Sequence, residues 1–247
     1  MITVMVADHN FGAFGKLLKH WPSVRMPSSR ILGYGVLDRY DEFPSGVYVF
    51  ADLERLTNEQ LRHTGKLSQR LASAGDCIVL LNDPRHTLRR FGLLSQLHAR
   101  GINRFRAFRV ADGWQDWDYP VFVREEDAHG GSLSGLIRNE SELRRALRPL
   151  LLSGRAPENL LIVEYCETRS ADGVYRKYSA FRVGEHIVPR HILFSHEWVV
   201  KDADLTGPAR RDEVYAYLET NPHEERLREI FEIGRVGYGR IDYALLD

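Results

Sequence analysis

Residues 119–136 read YPVFVREEDAHGGSLSGL, and this stretch decides how the second half of the chain is read. Tyr119, Val121 and Val123 alternate with Pro120, Phe122 and Arg124, the period-two pattern of a strand that carries one cation at its inner end. Small residues follow closely. Gly130, Gly131 and Ser132 put no bulky side chain in the way of the main chain, so their N–H groups can approach the oxygens of an anion such as a phosphate. The same glycines would serve an ordinary hairpin turn, and the stretch alone leaves both readings open.

Working outward, Asn139 and Glu142 cap a helix that sets Leu143, Ala146, Leu147 and Leu150 on one face, with Gly154 beyond it. Residues 104–110, 160–166 and 178–183 are further strand candidates, the last joined to 186–194 through Gly184 and Glu185. Few helices separate them, which predicts a more antiparallel, α+β second half. The first half differs. Residues 2–7, 47–51 and 77–81 predict strands separated by helices, one carrying Phe14, Leu17 and Leu18, the other opened by a Thr57–Gln60 capping box and closed at Gly75. That alternation predicts a Rossmann-like parallel sheet, so the fold class is α/β with domains at 1–85 and 86–247. Asn82, Asp83 and Pro84 are expected to cap the next helix, which carries Arg89 and Arg90. A helix from Pro222, with Leu227, Ile230 and Phe231 inward, leads to a last strand over 240–246.

The 247 residues carry 34 Lys+Arg against 34 Asp+Glu and are 43% hydrophobic, enough for one large or two small cores. Zero formal net charge argues against a whole-protein grip on nucleic acid. Neither Cys77 nor Cys166 has metal-ligand spacing, and both are expected to be reduced packing residues. No run reaches the roughly 18 apolar residues of a membrane span. A soluble, cytoplasmic protein without a nucleic-acid or membrane partner is the expectation, and oligomeric state is not readable.

Several catalytic patterns fail on a count. Gly130-Gly131-Ser132-Leu133-Ser134 ends in Ser where a nucleophile elbow needs Gly, and Val200 stands where a zincin pair begun at His196-Glu197 needs its second His. What holds is an ordered constellation: Arg90, then Arg124 in PVFVR before the loop His129 to Ser134, then Glu164-Tyr165-Cys166-Glu167, and finally Tyr238-Gly239-Arg240-Ile241-Asp242-Tyr243. In order and spacing this resembles the ATP-grasp family from about Asn82 onward. The family carries a cation before the lid, a second cation (usually Lys) before the glycine loop, an acidic hinge, and then R-x-D followed by E-x-N.

The resemblance implies ATP and Mg²⁺ as cofactors and a lid at about 105–170. It implies Arg90 and Arg124 on phosphates, with His129, Gly130, Gly131 and Ser132 closing over them. Arg in place of Lys keeps the charge and supplies a planar donor fork. It further implies Glu164 accepting from the adenine amino group, main-chain atoms of Tyr165, Cys166 and Glu167 along the ring edge, and Asp172 on the ribose. Arg176, Lys177 and Arg190 would bring positive charge to the phosphates and the acceptor, with Lys201 a weaker candidate. Alternation sets Arg240 and Asp242 on one strand face, where the resemblance implies Arg240 on a developing oxyanion and Asp242 on the metal. An ion pair at a strand end is the plain alternative.

One departure stands out. The family's E-x-N pair belongs to a strand beyond Asp247, so the expectation is a C-terminally incomplete domain lacking part of its metal site. The activity implied is an ATP-dependent carboxylate–amine ligase working through an acyl phosphate on a small molecule or peptide. A non-turning nucleotide binder and a small-molecule kinase are the alternatives. Both substrates stay unnamed, although loops over 8–11 and 25–39 are expected to line the acceptor pocket.

Overall fold

Apolar runs near the N-terminus become a parallel sheet in the computed structural model, which describes residues 1–7, 28–39, 43–128 and 130–246. The chain divides into two compact units, Met1–Thr87 with Val183–Glu185 and Gly234–Gly239, and Leu88–Arg182 with His186–Ile233 and Arg240–Asp247. The two short inserts, expected in the second domain, pack with the first.

In the first unit β1 (Ile2–Val6), β2 (Ser29–Gly33), β3 (Gly46–Phe50) and β4 (Ile78–Leu81) form one sheet in the order β2-β1-β3-β4. All three pairings are parallel. Helix α1 (Asn58–Ser73) starts at the expected capping box: Gln60 N–H donates to Thr57 Oγ1 at 3.2 Å, and Thr57 N–H to Gln60 Oε1 at 2.9 Å. Its Leu67 and Leu71 bury against Met5, Tyr48 and Phe50. Strand β2 occupies part of a span expected to be pocket loop. The helix expected around Phe14 and the loop at Asp8 lie outside the described residues.

Asn82 ties this unit together. Its Nδ2 donates to Phe50 O (3.1 Å) and Tyr238 O (2.6 Å), while its Oδ1 accepts from the N–H groups of Gly237 (2.9 Å) and Tyr238 (3.0 Å). It is buried and sits at φ 61°, a left-handed conformation that Asn tolerates better than most residues. Asn82→Ala leaves four polar partners stranded and should cost about 3 kcal/mol or more, read as a lowered urea midpoint. Asn82→Gly, which keeps the backbone conformation, should cost less than the alanine and so separate the two contributions.

In the second unit β5 (Ala107–Arg109), β7 (Leu160–Glu164) and β6 (Val121–Glu125) form an antiparallel sheet in that order. Alternation gives it two apolar faces. Val121, Val123, Leu160 and Ile162 pack on Leu143 and Leu147 of α3 (Glu140–Leu152). Phe122, Leu161 and Val163 pack on Phe91 and Leu94 of α2 (Arg90–Ala99). Asp83 does not cap α2; its main-chain O and its carboxylate close a turn over His86, Thr87 and Arg85, and the helix begins at Arg90.

A second sheet, β10-β8-β9, is built from β8 (Tyr175–Val183), β9 (His186–Ser195) and β10 (Tyr238–Tyr243). One face packs Tyr178, Ile192 and Phe194 on Tyr217 of α4 (Pro208–Thr220), and α5 (Glu224–Gly234) follows. Helix α4 lies in the polar segment expected between Lys201 and Pro222, where only Val214, Tyr217 and Leu218 carry an apolar stripe.

Candidate functional site

Arg124 sits on the α2-facing side of β6, beside Phe122, because side chains alternate along the strand. Its Nε is buried with no hydrogen-bond partner. Burial, and then the nearby Arg90, pull its pKa down to about 10, so it stays charged at neutral pH. A buried cation without a counter-group is costly, and such costs persist where a ligand supplies the missing partner.

The other arginines around it are engaged. Arg90, expected on phosphates, instead holds the chain that leaves β6, donating to the main-chain oxygens of Glu125 (3.0 Å), Glu126 and Ala128 (3.3 Å). Arg109 pairs with Glu126 at 2.8 Å, Arg89 lies 4.0 Å from the same carboxylate, and Arg155 pairs with Glu125. Glu126 is 2% exposed and accepts from Phe91 N–H at 3.1 Å, which caps α2 from outside its own sequence. The signal for this residue in the sequence is the carboxylate pair Glu125-Glu126 that follows the strand cation Arg124.

The glycine-rich segment returns along β6 as a hairpin. Leu133 N–H donates to Val123 O (2.7 Å), Val123 N–H to Ser134 Oγ (3.0 Å), and Ile137 bridges Val121. At its tip Gly131 has φ 93°, where a side chain would be strained, and a Cβ there would lie 3.2 Å from Lys201 Cε. Lys201, the weakest cation of the sequence reading, therefore lies over the loop. The N–H groups of Gly130, Gly131 and Ser132 make no hydrogen bond among the described residues. His129 lies outside them.

The loop that delivers Lys201 is tied at its base by Ser195 Oγ to Asp204 (2.9 Å) and by Asp204 N–H to Phe194 O (3.2 Å). Its Trp198 packs on Phe122 (ring centroids 5.2 Å apart) and on Tyr165 (5.7 Å), and Val200 O accepts from Lys177 Nζ. Glycine loop, hinge and second sheet thus meet around residues 198–201. Trp198 was not foreseen, since one aromatic in a polar segment has no pattern.

The hinge differs from expectation in its side chains. Glu164 is 5% exposed, and its carboxylate accepts from Arg106 N–H (2.7 Å), the Arg106 guanidinium and Asp118 N–H (2.8 Å). Burial alone would raise its pKa; those donors bring it below the usual range. A carboxylate so occupied holds the strand end. Tyr165 N–H is likewise taken by Pro120 O (2.9 Å), and its hydroxyl bonds Glu167 (2.9 Å). Cys166 is half-buried and free, its thiol pushed up by burial, whereas Cys77 is exposed and not the packing residue expected.

Asp172 and Arg176 also differ. Arg176 binds Asp172 (2.8 Å) and Glu213 (2.7 Å) and stacks over Phe194, on the face of β8 that packs α4; Arg210 shares Asp172 at 2.9 Å. The Arg176 and Arg210 hydrogen bonds hold the Asp172 carboxyl far below its usual range. Consecutive strand residues point to opposite faces, so Arg176 and Lys177 lie on different faces of the sheet.

The other face of this sheet carries Lys177, Ser179, Arg240 and Asp242. Arg240 Nε lies 3.2 Å from Asp242 Oδ1, which also accepts from Ser179 Oγ at 3.0 Å. The ion pair that alternation allowed is formed. His191 of β9 lies within their field: burial lowers its pKa, helped by Arg190, Arg240 and Lys177 and opposed by Asp242, so its imidazole is neutral at pH 7. Arg190 is exposed and stacks over Phe181 at 5.7 Å. Among the described residues no three His, Cys, Asp or Glu side chains come together to hold a metal, and Asp242 is already engaged. The described residues therefore do not by themselves make a protein-built Mg²⁺ site.

No protein-family model matches this sequence, and no curated protein is similar to it in sequence. Solved structures are. The chain is similar to L-amino acid ligase from Bacillus licheniformis (TM-score 0.50, 12% identity, 99% of this chain and 63% of that one). It is similar also to a RimK domain protein ATP-grasp from Sphaerobacter thermophilus (0.52, 15%, 100% and 87%) and to carboxyaminoimidazole ribonucleotide synthase from Aspergillus clavatus complexed with ATP (0.53, 10%, 100% and 66%). The chain spans less than two thirds of the length of the first and 66% of the last. It has the ATP-grasp fold. No helix among the described residues is long and apolar enough to cross a membrane.

Proposed function

We propose that this chain binds ATP through Arg124, the Gly130–Ser132 amides, Lys201 and Lys177, and uses it to join a carboxylate to an amine. The buried, unpartnered Nε of Arg124 carries the reading: the fold maintains a costly cation on the strand that leads into a glycine loop whose amides make no hydrogen bond among the described residues. Lys201 lies over the glycine loop and Lys177 is bonded to the neighbouring Val200, and cations beside unbonded amides suit a polyanion better than a lone carboxylate. ATP, when bound, supplies the phosphoryl group that activates the carboxylate. Arg240 and Arg190 are the cations available where negative charge develops on the acyl group. The likeness to ATP-grasp ligases supports the reaction class, and the carboxylate and acceptor stay unnamed.

A second reading, a nucleotide binder that does not turn over, draws on one observation. Asp242, the carboxylate assigned to the metal, is held by Arg240 and Ser179 and has no carboxylate, His or Cys cluster around it among the described residues.

Calorimetry of the full chain with Mg-ATP and a non-hydrolysable analogue tests both readings. Saturable heat at or below millimolar nucleotide is expected, and Lys201→Ala should weaken it about tenfold, the effect of one lost charge-assisted contact. No heat at millimolar nucleotide removes both readings. Phosphate release that requires an amino-acid pool selects the ligase; binding without release selects the binder.

A further inference from the structure

A groove on the outer side of the first antiparallel sheet lies apart from the site above. It is an open depression of about 440 Å³, with Trp114 and Trp117 along one wall and Leu147, Leu151 and Leu152 of α3 along the other. Helix α3 buries Leu143 and Leu147 on the sheet, yet Leu152 is 78% exposed, Trp114 44% and Leu151 39%. Exposed apolar side chains gathered around one depression mark an interaction surface more than a scatter of single residues does.

The two walls carry opposite charge. On α3, Arg144 stacks over Trp114 at 4.1 Å and pairs with Glu140 at 2.6 Å, while Arg145 and Arg148 are exposed and make no ion pair among the described residues. On the segment after β5, Asp112, Asp116 and Asp118 are exposed, and Asp118 shares Arg106 at 3.2 Å. A basic edge and an acidic edge flanking one apolar strip are self-complementary: a two-fold rotation sets each edge against its opposite.

We propose that this groove is a self-association surface, on which a second copy of the chain docks two-fold with its 112–118 edge against the α3 arginines. The apolar strip between the edges, Trp114, Leu151 and Leu152, is what the contact removes from water. Zero net charge over the whole chain leaves no overall repulsion to oppose it.

Sedimentation velocity of the full chain is the test. At tens of micromolar the chain should sediment at twice its 28.5 kDa mass and shift toward monomer in high salt. Arg145→Glu/Arg148→Glu and Asp112→Arg/Asp116→Arg each set like charges face to face and should raise the dimer dissociation constant about a hundredfold. Mixing the two variants restores opposite edges at both contacts, so a heterodimer should reappear, which neither misfolding nor a general charge effect would give. Leu152→Ser, at a position too exposed to affect folding, should weaken the dimer about tenfold. A wild-type monomer at 100-fold higher concentration than the assay needs, a dimer indifferent to all these variants, or a monomer that takes up an acidic peptide instead would each overturn the proposal.

Discussion

Arg124→Met is expected to abolish nucleotide binding and, in the same protein, to raise stability. The two effects share a cause. In the unliganded chain the guanidinium is mostly buried, its Nε has no acceptor and Arg90 is its near electrostatic neighbour, so burial and like charge both act against it. Methionine fills a similar volume without a charge to desolvate, and exchanging an uncompensated buried charge for an apolar side chain of that size gains about 1–3 kcal/mol. With nucleotide present the sign reverses. The fork loses its charge-assisted bonds to phosphate, and affinity should fall about a hundredfold or more. Arg124→Lys keeps the charge without the fork and should fall between the two. Urea unfolding with and without Mg-ATP measures both effects on one sample: wild type should gain stability from nucleotide, and Arg124→Met should start higher and gain nothing. A methionine variant less stable than wild type but with unchanged affinity would take Arg124 out of the site.

Much of the backbone was legible because it follows from short-range pattern. The alternation from Tyr119 to Arg124 gives β6 and the face on which Arg124 sits, and Leu143, Ala146 and Leu147 give α3. The parallel sheet follows from strands separated by helices. What stayed hidden is which partner each charged side chain finds. Glu164 and Arg106 are 58 residues apart and meet only because β7 and the chain before β5 become neighbours. Asp172 and Arg210 meet only because α4 packs on the second sheet, and α4 itself was unread. Lys201 came to the glycine loop through a tie between Ser195 and Asp204 that no periodicity encodes. Residue type and strand face could be read locally; the intramolecular partners that Arg90, Glu164, Asp172 and Arg176 find depend on tertiary contacts.

Glu126 carries the largest expected loss of stability in the molecule. One carboxylate, 2% exposed, caps the N-terminus of α2 through Phe91 N–H, pairs with Arg109 at 2.8 Å and stands 4.0 Å from Arg89. Removing one partner from a buried ion pair usually costs about 3–5 kcal/mol, because the other charge stays behind. Here the uncapped helix end adds to that, by about 1 kcal/mol. Glu126→Ala should therefore lower the urea midpoint more than any single substitution on the exposed face of α3. The double variant Glu126→Ala/Arg124→Met separates the charge effect from the lost cap. Glu126 pairs with Arg109 and stands near Arg89, whereas the charge that acts on Arg124 is that of Arg90. The methionine should thus stabilise the Glu126→Ala background by about as much as it stabilises wild type, an additivity that a double-mutant cycle reads directly. A coupling between the two substitutions would mean that the charge of Glu126 reaches Arg124 as well as Arg109 and Arg89.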